Sequence, residues 1–122
     1  IAAYPRLAVL GDFNIAPEVR DVHDPKAWEG KVLFSTRERA AFAALMQIGL
    51  RDSFRLFDQT DQCFTWWDYR MNAYKRNLGM RIDHILLSAE LAESCKSCTI
   101  DRDMRSRERP SDHVPVVAEV KL

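Results

Sequence analysis

The sequence predicts an α/β or α+β fold, a mixed β-sheet with helices on one face, because two hydrophobic patterns alternate along the chain. Short apolar runs and alternating segments are typical of strands, and three-to-four-residue spacing is typical of an amphipathic helix. The 122 residues suit one domain with its own hydrophobic core. No apolar run reaches the roughly 18 residues of a membrane span. We therefore expect one α/β unit and no contact with a membrane.

The first half of the chain contains one predicted strand, a long loop and one helix. Leu7–Leu10 is an apolar run that ends at a glycine, as buried strands often do. A polar loop follows to about residue 31. Ser35 and Glu38 have the spacing of a capping box, so we expect a helix to begin there and to stop at Gly49. The apolar residues that share its buried face are Phe42, Leu45 and Met46.

The second half of the chain contains five further predicted strands and a short helix. The last strand alternates, so that Val117 points away from Val116 and Ala118. The predicted strands span Ser53–Phe57, Phe64–Tyr69, Arg81–Ser88, Lys96–Asp101 and Val114–Leu122, and the helix spans Ala89–Cys95.

Charge and cysteine content restrict the possible partners and compartment. Eighteen basic residues balance eighteen acidic ones, so affinity for nucleic acid must come from local clusters. The three cysteines, Cys63, Cys95 and Cys98, form an odd number, which argues against a disulfide framework and indicates the reducing cytoplasm. A zinc site at Cys95 and Cys98 lacks its further ligands.

Two short motifs beside predicted strands carry candidate catalytic residues. In Gly11-Asp12-Phe13-Asn14, an extended backbone would direct Asp12 and Asn14 to the same side, although both also fit an Asx turn that leaves a strand. Ser111-Asp112-His113 joins a hard oxygen ligand to a titratable imidazole, although an incidental surface loop fits it too. A serine hydrolase is disfavoured, since the sequence has no Gly-x-Ser-x-Gly motif.

A carboxylate within an apolar strand is a further candidate. Asp83 interrupts the run from Ile82 to Leu87, and a buried carboxylate is costly unless it is paired. An imidazolium from another loop would be a suitable partner, since a carboxylate fixes the tautomer and orientation of the ring. A salt bridge to Arg81 or another arginine is the alternative.

Aromatic and basic residues cluster between residues 65 and 81. Alternation sends Trp66 and Trp67 to opposite faces, so we expect one in the core and the other free to stack on a sugar or base. The basic residues that follow are suited to DNA phosphates, although a solvated loop would look the same. These residues are Arg70, Lys75, Arg76 and Arg81.

In this order, the motifs resemble the C-terminal half of exonuclease III and the apurinic/apyrimidinic endonucleases. The segments are Gly-Asp-Phe-Asn, Thr-Trp-Trp-Asp-Tyr-Arg, Arg-Ile-Asp-His-Ile-Leu-Leu-Ser and Ser-Asp-His-x-Pro-Val, and the likeness runs from about Leu7 to Val120. The resemblance implies one half of a four-layer α/β/β/α sandwich. It also implies metal-dependent phosphodiester hydrolysis in DNA repair, as a 3′-to-5′ exonuclease and abasic-site endonuclease.

The resemblance also implies roles for particular residues. Asp12 would activate or position the attacking water, and Asp83 would orient His113. The full set of catalytic residues would be Asp12, Asn14, Asp83 and His113. Asp12, Asn14, Asp112 and His113 would bind Mg²⁺ or Mn²⁺. The positions that match DNA-contacting residues are Trp66, Arg70, Arg76, Met80 and Ile82, together with the loop 22–34, and Trp66, Met80 and Ile82 would enclose a base-free sugar.

The family's metal-binding glutamate lies in an N-terminal half, and only eleven residues precede Asp12 here. We therefore expect residues 1–122 to be a C-terminal half whose N-terminal half is absent and which is inactive alone. Its second sheet face, with Val117, Ile82 and Leu86, would bind that half or, in its absence, a second copy of the chain. Two alternatives to a DNA-repair nuclease stay open. The chain could be a non-catalytic half that binds DNA or a partner, or part of a phosphatase- or sphingomyelinase-like enzyme of the same superfamily.

Overall fold

The computed structural model describes residues 3–57 and 59–122. The strands there are β1 (Ala8–Asp12), β2 (Leu50–Asp52), β3 (Trp66–Trp67), β4 (Gly79–Met80), β5 (Asp83–Ser88), β6 (Cys95–Ile100) and β7 (Val116–Val120). The α-helices are α1 (Pro25–Trp28), α2 (Thr36–Gln47) and α3 (Ala89–Glu93), and 3₁₀ turns span Val19–Asp21, Ser53–Leu56, Arg70–Asn72 and Arg102–Ser106. Within the described ranges, every helix is too short or too polar to cross a membrane.

The long helix forms where the capping box predicts it. The Ser35 hydroxyl accepts a hydrogen bond from the Glu38 backbone N–H at 3.1 Å, and the Glu38 carboxylate accepts one from the Ser35 N–H at 3.2 Å. These reciprocal bonds satisfy two N–H groups at the start of α2 that have no partner within the helix. Phe42 then packs against Leu50 and Leu86, so α2 covers one face of the sheet that contains β5.

The α/β class is confirmed, but the strands do not form one mixed sheet. β5 lies at the centre of a three-stranded sheet, between β1 and β2, and both pairings are antiparallel. β3 with β4 and β6 with β7 form two further antiparallel pairs. The sequence pattern identifies strands without fixing their partners, because antiparallel and parallel strands share the same side-chain alternation.

Three predicted strands differ from the observed elements. Ser53–Phe57 is wrong as a strand, because pairing with β5 ends at Asp52 and the chain then enters a 3₁₀ turn. In the segment Phe64–Tyr69, only the two residues of β3 pair as a strand. The last strand is shorter than predicted, but its alternation is confirmed: Val116 and Ala118 are half-buried and Val117 is exposed.

The predicted second face of the sheet is only partly correct. Val117 is 53% exposed, as expected, whereas Ile82 and Leu86 are 2% and 0% exposed and therefore belong to the core. Leu86 points toward α2 because the helix packs on that side of β5. Every residue of the edge strand β1 is exposed, with Leu10 at 65% and Val9 at 37%, so the expectation that this apolar run is a buried strand is wrong.

A buried guanidinium connects three segments of the chain. The Arg81 side chain is 1% exposed and donates to Asp21 at 2.7 Å and to Asp52 at 2.6 Å. A third bond joins it to Nδ1 of His84 at 3.2 Å, and Asp21 also pairs with Arg55. A buried charge is tolerated only when it is paired, so this network fixes the 3₁₀ turn before loop 22–34, the end of β2 and the start of β5 relative to one another.

Candidate active site

His113 and Asp83 form the centre of the candidate site. Nδ1 of His113 lies 2.8 Å from a carboxylate oxygen of Asp83, the first residue of β5. Since the carboxylate can only accept, Nδ1–H is the donor and Nε2 is left without a hydrogen bond to Asp83. Arg81 is occupied by Asp21 and Asp52, so the salt bridge considered as an alternative for Asp83 is not formed.

Strand pairing brings Asp12 to the same point. Asp12 is the last residue of β1 and lies opposite Asp83 in the antiparallel register. Its carboxylate is 3.6 Å from Nε2 of His113. One ligand atom from each of Asp12, Asp83 and His113 falls within 4.8 Å of the others. Three residues that are far apart in sequence thus converge on one position at the edge of the sheet.

The carboxylates around the imidazole favour its charged form. Burial disfavours the imidazolium, but the hydrogen bond to Asp83 and the negative charges of Asp83, Asp12 and Asp112 outweigh it, so the pKa of His113 is raised. For Asp83, burial raises the pKa more than the hydrogen bonds from His113 and Thr65 lower it. The site is therefore an anionic cluster around a ring that holds its proton more firmly than free histidine.

Asn14 does not continue the extended backbone of Asp12. Its φ is +54°, and its N–H donates to the Asp12 carboxylate at 2.9 Å, which is an Asx turn. The expectation that both side chains point the same way in an extended chain is therefore wrong in its geometry. The turn nevertheless keeps exposed Asn14 beside Asp12 and orients one oxygen of that carboxylate.

Asp112 borders the group of three without belonging to it. One of its oxygens lies 3.9 Å from Nε2 of His113, and the other accepts a hydrogen bond from Nε1 of Trp66 at 3.2 Å. The predicted ligand set Asp12, Asn14, Asp112 and His113 therefore lies in one neighbourhood, but Asp83 is the carboxylate that lies nearest His113.

The predicted DNA-contacting residues divide into exposed and buried ones. Half-buried Trp66 and fully buried Trp67 pack in two different core clusters, which confirms that the two rings face opposite sides. Met80 and Ile82 are 0% and 2% exposed and pack beneath Trp66. The prediction that they contact DNA is therefore wrong, and they instead support the ring of Trp66. Exposed Arg70 pairs with Asp68 at 2.8 Å, and exposed Arg76 bonds the Met71 carbonyl.

Sequence reasoning missed Thr65 as part of the site. Its buried hydroxyl oxygen accepts hydrogen bonds from the backbone N–H groups of Ile82 at 3.1 Å and Asp83 at 3.2 Å. The hydroxyl also lowers the pKa of the Asp83 carboxyl and so favours its charged form. A buried threonine before the tryptophan pair was the available signal, but threonine is common in strands and does not by itself indicate a site.

Comparison with known proteins identifies the family. Residues 1–113 match the profile of the Endonuclease/Exonuclease/phosphatase family. The chain belongs to this family. It is 43% identical over 122 residues to exodeoxyribonuclease III of Haemophilus influenzae, a match that covers 94% of this chain and 46% of the relative.

Two solved structures show the same architecture. The 3′ phosphatase NExo from Neisseria, bound to a product DNA hairpin, is 44% identical with a TM-score of 0.93, over 97% of this chain and 46% of that one. An AP endonuclease from Archaeoglobus fulgidus is 37% identical with a TM-score of 0.88, over 94% of this chain and 45% of that one. The chain therefore has the fold of about half of each of these enzymes and spans about half the length of the relatives it matches.

Proposed function

We propose that the whole protein hydrolyses phosphodiester bonds during DNA repair, as a 3′-to-5′ exodeoxyribonuclease and abasic-site endonuclease. The observation that carries the proposal is the His113 imidazole, which bonds Asp83 at 2.8 Å and lies 3.6 Å from Asp12 and 3.9 Å from Asp112. The nucleases and the DNA-bound phosphatase among the chain's relatives support this assignment.

The geometry supports a defined role for each catalytic group. Because Nδ1–H of His113 donates to Asp83, the other ring nitrogen, Nε2, lies near the carboxylates of Asp12 and Asp112. A protonated His113 would donate from Nε2 to a non-bridging phosphate oxygen and stabilise charge that develops there. Asp12 would position or activate the attacking water, and Asn14 would help hold that water.

A divalent cation fits the donor set of the site. Three carboxylates around one position would repel the scissile phosphate unless a cation offset their charge. Their hard oxygen atoms suit Mg²⁺ or Mn²⁺, which Asp12, Asn14 and Asp112 would hold. A protonated His113 has no free nitrogen lone pair for the ion, so in this proposal it acts on the phosphate instead. Such an ion, when bound, supplies positive charge for the transition state.

DNA, rather than phospholipid, is the substrate that the neighbouring surface favours. Half-buried Trp66 borders a cavity of about 380 Å³ that Arg70 and Trp28 also line. An aromatic ring beside an exposed guanidinium can stack on a sugar or base and meet a phosphate. Arg76 would add a second backbone contact. A sphingomyelinase- or phosphatase-like activity, or a half that only binds DNA, remains the competing hypothesis.

We also propose that this chain needs an N-terminal half to be active. Leu10 and Val117 are large apolar residues with 65% and 53% exposure, on β1 and β7. In this proposal they bind the N-terminal half, which brings the family's metal-binding glutamate, and a second copy of the chain can bind there in its place. The three free cysteines are compatible with a cytoplasmic location.

A reconstitution experiment tests the proposed function. The chain is incubated with an abasic duplex, a duplex with a recessed 3′ end, or sphingomyelin vesicles, each with Mg²⁺ or with EDTA. We expect no cleavage by the chain alone and Mg²⁺-dependent cleavage of both DNAs after the N-terminal half of a relative is added. Cleavage of sphingomyelin in preference to DNA, or cleavage in EDTA, would refute the proposal.

A further inference from the structure

The side chain of Trp66 connects the DNA-facing surface to the anionic cluster. Its indole Nε1–H donates to one oxygen of Asp112 at 3.2 Å. The backbones of the two segments also pair: Trp67 N–H donates to the Asp112 carbonyl at 3.1 Å, and Val114 N–H donates to the Thr65 carbonyl at 2.8 Å. The indole bond therefore adds a side-chain connection to two segments that already have a fixed register.

The Asp112 carboxylate depends on this indole for its orientation. Among the residues that the structure describes, Trp66 is the hydrogen-bond donor to its side chain, and His113 is the other polar neighbour, at 3.9 Å. A half-buried carboxylate without a donor can rotate about its terminal torsion, because that torsion has broad minima. Holding one oxygen at the indole directs the other toward the anionic cluster, where a cation would offset the charge of the carboxylates.

The indole ring is itself held in place from below. Trp66 packs against a core cluster, and it pairs with Met80 in the β3–β4 ladder. The buried members of that cluster are Ala16, Val22, Phe34, Met80 and Ile82. Because the indole is held by core packing, its N–H restricts the orientation of Asp112 more than a flexible surface side chain would. Residues that hydrogen-bond to a metal ligand commonly fix the ligand's orientation in this way.

We propose that Trp66 is a positioning residue that orients Asp112 for the divalent cation, in addition to any contact of its ring with DNA. This inference rests on the proposed cation-dependent function. Trp66→Phe is the matching test, because phenylalanine keeps an aromatic ring on the core cluster and removes the N–H donor. Trp28→Phe is the control, since Trp28 lines the same cavity but has no hydrogen bond to Asp112.

The first measurement examines the bond without a metal. In ¹⁵N–¹H spectra, the chain's three tryptophans give three indole N–H signals. Asp112→Asn should move the signal that Trp66→Phe deletes and leave the signals of Trp28 and Trp67 in place. If the Trp66 signal does not respond to Asp112→Asn, the inference is overturned, whatever the protein's activity.

The second measurement examines the consequence for cation binding. Mn²⁺ affinity is followed by water-proton relaxation in the parent, in Trp66→Phe and Trp28→Phe, and in both Phe variants combined with Asp112→Asn. We expect roughly tenfold weaker binding in Trp66→Phe, as is typical when a partner of a metal ligand is removed. Trp28→Phe should bind like the parent, and Trp66→Phe should add no loss once Asp112 is Asn.

The outcomes separate the inference from the proposed function. Equal Mn²⁺ affinity in the parent and in Trp66→Phe overturns the positioning role and leaves the cation site intact. A parent that binds no Mn²⁺ at millimolar concentration refutes the proposed cation site in this chain, and the positioning role with it.

Discussion

Replacement of Arg81 by methionine should destabilise the chain strongly at neutral pH. The guanidinium is 1% exposed and bonds Asp21 and Asp52, which are 0% and 9% exposed, so the variant leaves charged carboxylates buried. Asp21 keeps Arg55, whereas Arg81 supplies all the described side-chain hydrogen bonds of Asp52. Removing one partner of a buried ion pair costs about 3–5 kcal/mol of unfolding free energy.

The pH dependence of this loss identifies its cause. Burial raises the pKa of Asp52, but the hydrogen bond and charge of Arg81 outweigh it, so the pKa is lowered in the parent. A lowered pKa stabilises the fold above the unfolded value of about 3.9, and this contribution disappears as the pH falls through the folded pKa. In Arg81→Met, the Asp52 carboxylate must bind a proton or stay buried and charged. The loss of unfolding free energy should therefore be largest at pH 7 and smaller near pH 4.

Urea unfolding at one fixed chain concentration measures both effects. Arg6→Met is the matched control, because Arg6 pairs with Glu90 on the surface, where the side chains are 63% and 47% exposed. An exposed pair contributes roughly 0–1 kcal/mol, so this variant should stay close to the parent. A loss below about 1 kcal/mol for Arg81→Met at pH 7, or a loss that grows toward pH 4, would refute the reasoning.

Three further predictions concern acid stability, the catalytic imidazole and assembly. Burial, together with the charge of Arg81, lowers the pKa of His84 to about 4. The fold disfavours the charged ring, so the unfolding free energy should fall by up to roughly 3 kcal/mol between pH 6.5 and 4, and an unchanged value would contradict this. Asp83→Asn should lower the pKa of His113 in an NMR titration, and an unchanged pKa would show that Asp83 does not favour the imidazolium. In light scattering, the chain should self-associate at micromolar concentration. The double variant Leu10→Lys with Val117→Lys should weaken this association, whereas Ile48→Lys, at another exposed apolar position, should leave it unchanged. A monomeric parent would contradict the prediction.

Local signals in the sequence were sufficient for part of the fold. The capping box at Ser35 and Glu38 predicts α2 because its hydrogen bonds form between near neighbours. The alternation in β7 predicts which of its residues are exposed. By contrast, the chain leaves β2 for the 3₁₀ turn at Asp52, whose carboxylate bonds Arg81, 29 residues away, and a local pattern does not contain that contact.

The candidate site was predictable in its members but not in its arrangement. Because Asp83 is a carboxylate in an otherwise apolar strand, we expect an imidazolium from another loop as its partner. The hydrogen bond to His113 confirms that pairing. The burial of Met80 and Ile82 was not predictable, because it depends on loop 22–34 folding over them. The role of Thr65 was not predictable either, since it depends on the backbone N–H groups of Ile82 and Asp83, which are distant in sequence.

The most direct test of the proposed active site is cleavage by the reconstituted pair of halves. Single-turnover cleavage of an abasic duplex in Mg²⁺ is compared for the parent chain, Asp12→Ala, His113→Ala and Glu90→Ala, each with the same N-terminal half. Loss of a general acid or base costs on the order of 10²-fold or more, so the first two variants should lose at least that much. Glu90→Ala removes a surface carboxylate and should cleave like the parent. If Asp12→Ala or His113→Ala cleaves as fast as Glu90→Ala, the group formed by Asp12, Asp83 and His113 is not the active site.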